Sequence, residues 1–333
     1  MDISIIICST HPKTDRELVA NIDDTIGVTY EIVHIDNSAG EYGICAAYNK
    51  GVERAKGDIL CFMHEDVKFH SEGWGRRVVE YMSQPEVGAI GLAGSVFVPA
   101  ESDWRFVGIK FHTLRVIQGF YSPSGQYCTT GCGWEPTGNL HQVAALDGVW
   151  FCIRRETFQK IRFDDVTFPH FHLYDSDISM QVNTLGLKLC VCDDIILEHF
   201  SEGTFTESFN EGLDRFLKKW GSLLPIVRGC ETEISEVEMR NETEQALSGY
   251  KDRLAHDCML LSCKKALKEG DLRSLSKEKR KFIYRQEYVF VKKVIKSSAP
   301  FFDAWRALHN YPWKKPKLKW KLIYKMFYYR ILH

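Results

Sequence analysis

The segment LDGVWFCIRRETFQKIRFDDVTFPHFHLYDSDISMQVNTLGLKLCVCDDIILEHFSEG, residues 146–203, decides the fold. It reads as one strand–helix–strand unit with carboxylates and a histidine at the element boundaries. A residue at a strand's carboxyl end or in a helix's first turn can face a crevice while the body of the element stays buried, so an α/β enzyme places its chemistry there. Ile178, Val182 and Leu185 recur at helical spacing behind Asp175 and Asp177, and Gly186 closes the pattern. Beyond it, Cys190 and Cys192 alternate with Leu189 and Val191 in a strand-like run that favours burial.

Three segments upstream repeat one arrangement of an apolar run, a polar cluster and a helix-like stretch. Ile3 to Cys8 leads into Ser9-Thr10-His11-Pro12, Tyr30 to Ile35 into Asp36-Asn37-Ser38, and Ile59 to Met63 into His64-Glu65-Asp66. Between the second and third runs, Ile44, Tyr48, Val52 and Ala55 keep helical spacing until Gly57 stops them, which makes a β-α-β unit. A parallel sheet with right-handed crossovers is expected. The sequence has no Gly-x-x-x-x-Gly-Lys, and Gly131-Cys-Gly133 lacks a third glycine and a strand-to-helix setting, so P-loop and dinucleotide-binding readings fall. A phosphorylated ligand on such a sheet needs its charge neutralised another way, and a carboxylate-held metal is the usual solution.

The region from Ser95 to Val143 reads as loops and short strands over the site. After Gly212 the pattern changes to longer helical stretches, and Ser297-Ser298-Ala299-Pro300 reads as a linker. The expected domains are therefore 1–211 (catalytic), 212–296 (a helical extension) and 297–333 (a tail). From Trp313 the tail carries six lysines and Arg330 with no acidic residue, interleaved with aromatic residues. Such a segment can lie on an anionic lipid surface, where each basic residue contributes about 1 kcal/mol. The alternative is a helix that packs its aromatics on the catalytic domain. Nucleic-acid binding is not expected, because the basic residues are confined to the tail and no matching motif accompanies them.

The 333 residues, 44% hydrophobic and 26% charged, suffice for a large core. The longest apolar runs fall far short of the ~20 residues of a membrane-spanning helix. MDISIIICSTHP lacks the features of a signal peptide, so a cytoplasmic location, or one at the cytoplasmic face of the inner membrane, is expected. Eleven cysteines, an odd number spread along the chain, argue for reduced thiols. Cys128-x-x-x-Cys132 and Cys190-x-Cys192 do not have paired zinc-site spacing.

His64-Glu65-Asp66 emerges beside the crevice, and Asp66 could supply one hard oxygen to Mg²⁺ or Mn²⁺ or else cap a following helix. Asp175 and Asp177 stand two apart and point in different directions on a helix. One can act as a general base while the other caps the helix or holds a basic neighbour; both could instead simply favour the helix dipole. His199 closes the run Ile195 to Glu198, as a structural residue or a ligand.

The set ICSTHP, HIDNSAG, AAYNKGVERAKGDILCFMHEDV, LDGVWFCIRRETF, FDD, FHLYDSDISMQVNTLGLKLCV and LEHFSEGTF resembles a GT-A glycosyltransferase of family 2, most closely the bacterial subgroup related to a streptomycin-biosynthesis protein. The resemblance covers roughly residues 1–205. It implies a GT-A α/β fold, a Rossmann-like mostly parallel sheet, with a nucleotide-diphosphate sugar across the first strands' carboxyl ends. Asp36 with Asn37 matches the base-contacting segment, and Thr10 lies in the loop beside it. Asp66 matches the last acidic residue of the D-x-D motif that holds Mn²⁺ or Mg²⁺, although His64 replaces the first Asp. His199 matches a histidine that completes the metal site. Asp175 matches the catalytic aspartate of E-D-x-D, although Tyr174 replaces the Glu. Asp147 and Gly148 match a segment lining the donor and acceptor pocket.

The function so implied is an inverting hexosyltransferase acting on a cell-envelope glycan or a polyprenyl-linked precursor. The alternative is a non-catalytic sugar-nucleotide or glycan-binding scaffold of the same fold. A nucleotidyltransferase would need a glycine-rich basic loop, and CSTHPKTDR lacks the glycines.

Overall fold

The structure is a computed structural model describing residues 1–123, 125–130, 136–230 and 234–296, with residues 308, 319, 322 and 323. The chain forms two compact units. Residues 1–116, 134–198 and 205–254 make the first, and residues 117–133, 199–204 and 255–333 the second.

In the first unit the opening elements are β1 (Ile3–Ser9), α1 (Arg16–Thr25), β2 (Tyr30–Asp36), α2 (Ile44–Arg54), β3 (Ile59–Met63), β4 (Val67–Phe69), α3 (Trp74–Met82) and β5 (Val87–Gly91). Short strands β6 (Ala93–Ser95), β7 (Phe97–Val98) and β8 (His112–Leu114) follow. The chain then forms β9 (Val116–Tyr121), β10 (Tyr127–Thr129), β11 (Leu140–Val143), β12 (Ala145–Leu146) and β13 (Trp150–Arg154). Residues 146–203 then supply α4 (Arg155–Phe158), α5 (Tyr174–Thr184), β14 (Lys188–Cys192) and β15 (Leu197–His199).

Among the described residues the main sheet has seven strands in the order β11-β14-β5-β13-β3-β1-β2. β1 pairs in parallel with β2 and β3, and β14 in parallel with β5. β13 lies antiparallel between β3 and β5, and β11 antiparallel on β14, so the sheet is mostly rather than wholly parallel. Alternation along β1 explains the near-continuous apolar run. Ile3, Ile5 and Ile7 enter one core with Cys61, Trp150, Cys190 and Cys192, whereas Ile6 enters another with Phe62, Phe151 and Val191. Side chains of a strand alternate between faces, so both faces of the sheet are covered. Asp15 caps α1 by accepting from Glu17 and Leu18 backbone N–H groups, and Leu18 and Ile22 are its buried stripe.

Short strands occupy the stretch from Ser95 to Val143, as its lack of periodicity predicts. Asp175 and Asp177 lie in the first turn of α5, at the amino end of the helix where the spacing puts them. One boundary differs from expectation. The helical region starts with α6 (Glu207–Trp220), which runs through Gly212, and continues with α7 (Glu236–Leu261), α8 (Lys264–Lys268) and α9 (Lys277–Lys296).

In the second unit, β9 and β10 pair as an antiparallel hairpin. Phe120 and Cys128 of that hairpin share a core with Phe290, Val291, Val294 and Ile295 of α9 and with Leu308 and Leu322. The expected linker at 297–300, Gly131-Cys-Gly133 and most of the basic aromatic tail lie outside the described residues. No helix among the described residues is long and apolar enough to cross a membrane. The ten described cysteines are all free thiols, with Cys190 and Cys192 buried.

Gly57 lies where α2 hands the chain to β3. A Cβ there would stand 2.6 Å from Ser4 N and 2.7 Å from Ile3 C, backbone atoms of β1. Gly57→Ala is therefore expected to cost about 1–3 kcal/mol. A urea midpoint equal to that of the native chain would contradict this.

Candidate active site

The carboxyl ends of β1, β2 and β3 lie side by side, with Ser9 opposite Asp36 and Ile7 opposite Met63. Trp150 is paired with Met63, so the Asp147-Gly148 turn before β13 reaches the same edge of the sheet. The fold thus gathers Thr10, Asp36, Asn37, Asp66, Asp147 and Gly148 along one edge of the first unit.

Thr10 is held by Glu65, which accepts its backbone N–H at 3.0 Å and its hydroxyl at 2.7 Å. Ser9 also donates to Glu65, and His11 Nδ1 stands 3.1 Å from it. Partial burial pushes the Glu65 carboxyl up, but these hydrogen bonds outweigh it and leave the group below its ordinary value. Glu65 therefore fixes the loop after β1. Its signal in the sequence was only its place between His64 and Asp66. Asp36 is exposed and accepts the Ser38 N–H at 2.9 Å, and bonds from Ser38 lower its carboxyl. Asn37 turns its amide to the Tyr42 backbone, accepting from N and donating to O at 2.9 Å each. Asn37 thus shapes the loop.

Asp66 lies between β3 and β4, so the segment after it is a strand and the helix-capping alternative is removed. Its carboxylate and a ring nitrogen of His64 lie within 4.8 Å of one another. His64 Nε2 is 3.1 Å from the Tyr174 hydroxyl, which donates to Gly148 O, also at 3.1 Å. His199 belongs to the second unit, where it is 8% exposed and its Nδ1 stands 3.3 Å from Gln118 Oε1. An Nδ1–H donor there leaves the lone pair on Nε2.

Asp175 opens onto a charge cluster that periodicity did not reveal. Its Oδ2 pairs with Arg105 and accepts the Gly148 N–H at 2.8 Å, while Oδ1 accepts from Ser176 N at 2.9 Å. Arg105 also pairs with Asp103 at 2.8 Å and Asp147 at 3.4 Å. Asp103 is fully buried and takes the Ser176 hydroxyl at 2.9 Å, which ties the cluster to α5. Burial pushes the Asp175 carboxyl up to about 6, helped by Asp147 and Asp103 and opposed by Arg105. The only sequence signal for Asp103 and Arg105 was an acid and a base inside an otherwise aromatic, aperiodic stretch.

Asp177 faces elsewhere. It pairs with Lys219 and accepts from Trp220 Nε1 and Gln181, each at 2.7 Å, so of the two aspartates it is the one that braces α6. Leu173, just before α5, adopts the left-handed conformation with φ 66°. Gly148 is enforced by proximity, since a Cβ there would lie 2.0 Å from the Tyr174 hydroxyl.

An α/β sheet whose carboxyl edge carries a loop-fixing acid and a His-x-Asp turn, beside a buried carboxylate of raised pKa, is the layout of a ligand-binding site. Residues 4–206 match the profile described as "Glycosyltransferase like family", and the chain belongs to that family. No curated protein matches the chain by sequence. Similar solved structures include GalNAc-T7 with UDP, GalNAc and Mn²⁺, at 14% identity and a TM-score of 0.44, over 78% of this chain and 57% of that one. This chain thus spans little more than half of that protein. The mannosyltransferase PcManGT from Pyrobaculum calidifontis, in complex with GDP-Man and Mn²⁺, has 14% identity and a TM-score of 0.43 over 88% of this chain and 86% of its own. S. aureus TarS 1–349 has 13% identity and a TM-score of 0.42 over 99% and 89%. At these scores the likenesses bear on neither donor nor acceptor.

Arg105→Leu would leave three neighbouring carboxylates without their shared cation. A loss of about 3–5 kcal/mol is expected at pH 8. The carboxylates of the variant take up protons as pH falls, so the deficit should shrink toward pH 5. Urea unfolding at both pH values checks the size and the sign.

Proposed function

We propose that this chain transfers a sugar from a nucleotide-diphosphate donor to a hydroxyl of a cell-envelope glycan or lipid-linked precursor, with inversion and with a divalent metal. The observation that carries the reading is Asp175, a buried carboxylate of raised pKa in the first turn of α5, oriented by Arg105 and Gly148 N. A carboxylate offers about four lone-pair sites and three are used here, which leaves capacity for one more proton donor. In the proposed reaction that donor is the acceptor hydroxyl. Asp175 takes its proton as the oxygen attacks the anomeric carbon opposite the leaving diphosphate. One displacement inverts the configuration.

The donor's base and ribose are assigned to the edge formed by Thr10 and Asp36, and the sugar to the Asp147-Gly148 turn. Asp66 supplies a hard oxygen suited to Mn²⁺ or Mg²⁺. Bound there, the metal would offset charge on the departing diphosphate.

Asp175→Asn is expected to lower transfer by roughly 10²–10⁴-fold while a donor-induced thermal shift persists. Near-normal transfer by this variant would remove the base assignment. Because the base works ionised, wild-type transfer should fall as pH drops through about 6. Asp66→Ala should abolish metal-dependent donor binding, and transfer by the native chain that survives EDTA would remove the metal.

A further inference from the structure

The two departures from the family's motifs, His64 in place of the first Asp and Tyr174 in place of the Glu, meet in space. We infer that Tyr174 is a positioning residue that holds His64 as a nitrogen ligand of the metal beside Asp66, so the two substitutions work as one unit. The inference rests on the metal-dependent reading of the site proposed above.

Proton counting fixes the tautomer of His64. Tyr174 Oη lies 3.1 Å from Gly148 O and 3.1 Å from His64 Nε2. A carbonyl can only accept, so the hydroxyl's one proton goes to Gly148. The second contact then requires Nε2–H as donor to the phenol oxygen. A neutral imidazole protonated on Nε2 carries its lone pair on Nδ1, which is the nitrogen able to take a cation. His64 offers a ring nitrogen and Asp66 an oxygen within 4.8 Å of one another, and a side-chain adjustment of under an ångström brings them within the ~4 Å that two metal bonds of ~2 Å span. A second hydrogen bond that sets tautomer and ring plane is the usual support of a ligating histidine.

The surroundings hold Tyr174 in place. It is 3% exposed, opens α5 one residue before Asp175 and meets the Tyr48 ring edge-on with centroids 5.7 Å apart. Tyr174 and Asp175, adjacent on α5, therefore grip the carbonyl and the N–H of the same glycine. The His64 backbone N–H completes the connection by donating to Val149 O at 3.0 Å. The turn that carries Asp66 and the turn that supports Asp175 are joined through Tyr174.

The test is Mn²⁺ binding, with the metal alone as probe, followed by electron paramagnetic resonance on the full chain. Tyr174→Phe keeps the ring and is expected to weaken Mn²⁺ roughly tenfold or more. His64→Ala should weaken it at least as much, and adding Tyr174→Phe to His64→Ala should cost nothing further. His64→Gln, which can still donate to Tyr174 but has no imidazole nitrogen, checks the same point from the other side and should also lose Mn²⁺. Thermal unfolding without metal separates loss of fold from loss of the ligand. Native affinity in Tyr174→Phe or His64→Gln, or additive losses in the double variant, would overturn the inference and leave the transferase reading standing. A native chain that binds no Mn²⁺ would remove the metal and the inference together.

Discussion

Burying charge is costly unless it is paired, and the first unit is organised around one such pairing. Arg105 serves Asp103, Asp147 and Asp175, which come from three separate stretches of chain. Three carboxylates around one guanidinium leave an excess of negative charge, and that excess, added to desolvation, keeps Asp175 from ionising as readily as a free aspartate. The same geometry fixes where the side chain points. Tuning and orientation thus have one source, and the 3₁₀ turn at Trp104–Phe106 is tied to α5 by the same contacts.

Much of this frame was legible in the sequence because it rests on periodicity. β3 has the expected limits, and β1 and β2 each extend by one residue past the apolar run, since a polar residue can still add a rung to a parallel ladder, as Ser9 and Asp36 do opposite one another. The antiparallel place of β13 was not legible. A strand covered on both faces has the same apolar composition whichever way it runs, and only its neighbours set its direction. The charge cluster was hidden for another reason. Asp103 and Arg105 sit in a segment without repeat, and their partners are brought close by the fold rather than by spacing.

Asp175 and Asp177 show what spacing does convey. Two residues apart on a helix implied different directions and hence different partners. One meets Arg105 and the other Lys219. Which of the two faces the crevice was given only by the resemblance, since dipole, cap and ion pair all place acids in a helix's first turn. Asn37 shows the converse, a polar residue at a strand end whose amide is spent on its own loop.

The position of β13 between β3 and β5 bears on how the chain is made. A ribosome releases β1, α1, β2, α2 and β3 as a contiguous parallel unit, but one long edge of that unit stays open until Trp150–Arg154 emerges. β3 is apolar and fully buried in the finished sheet, so its open edge is the kind of surface that recruits other chains. The nascent protein is therefore most in need of a chaperone, and most prone to aggregate, between the synthesis of β3 and that of β13.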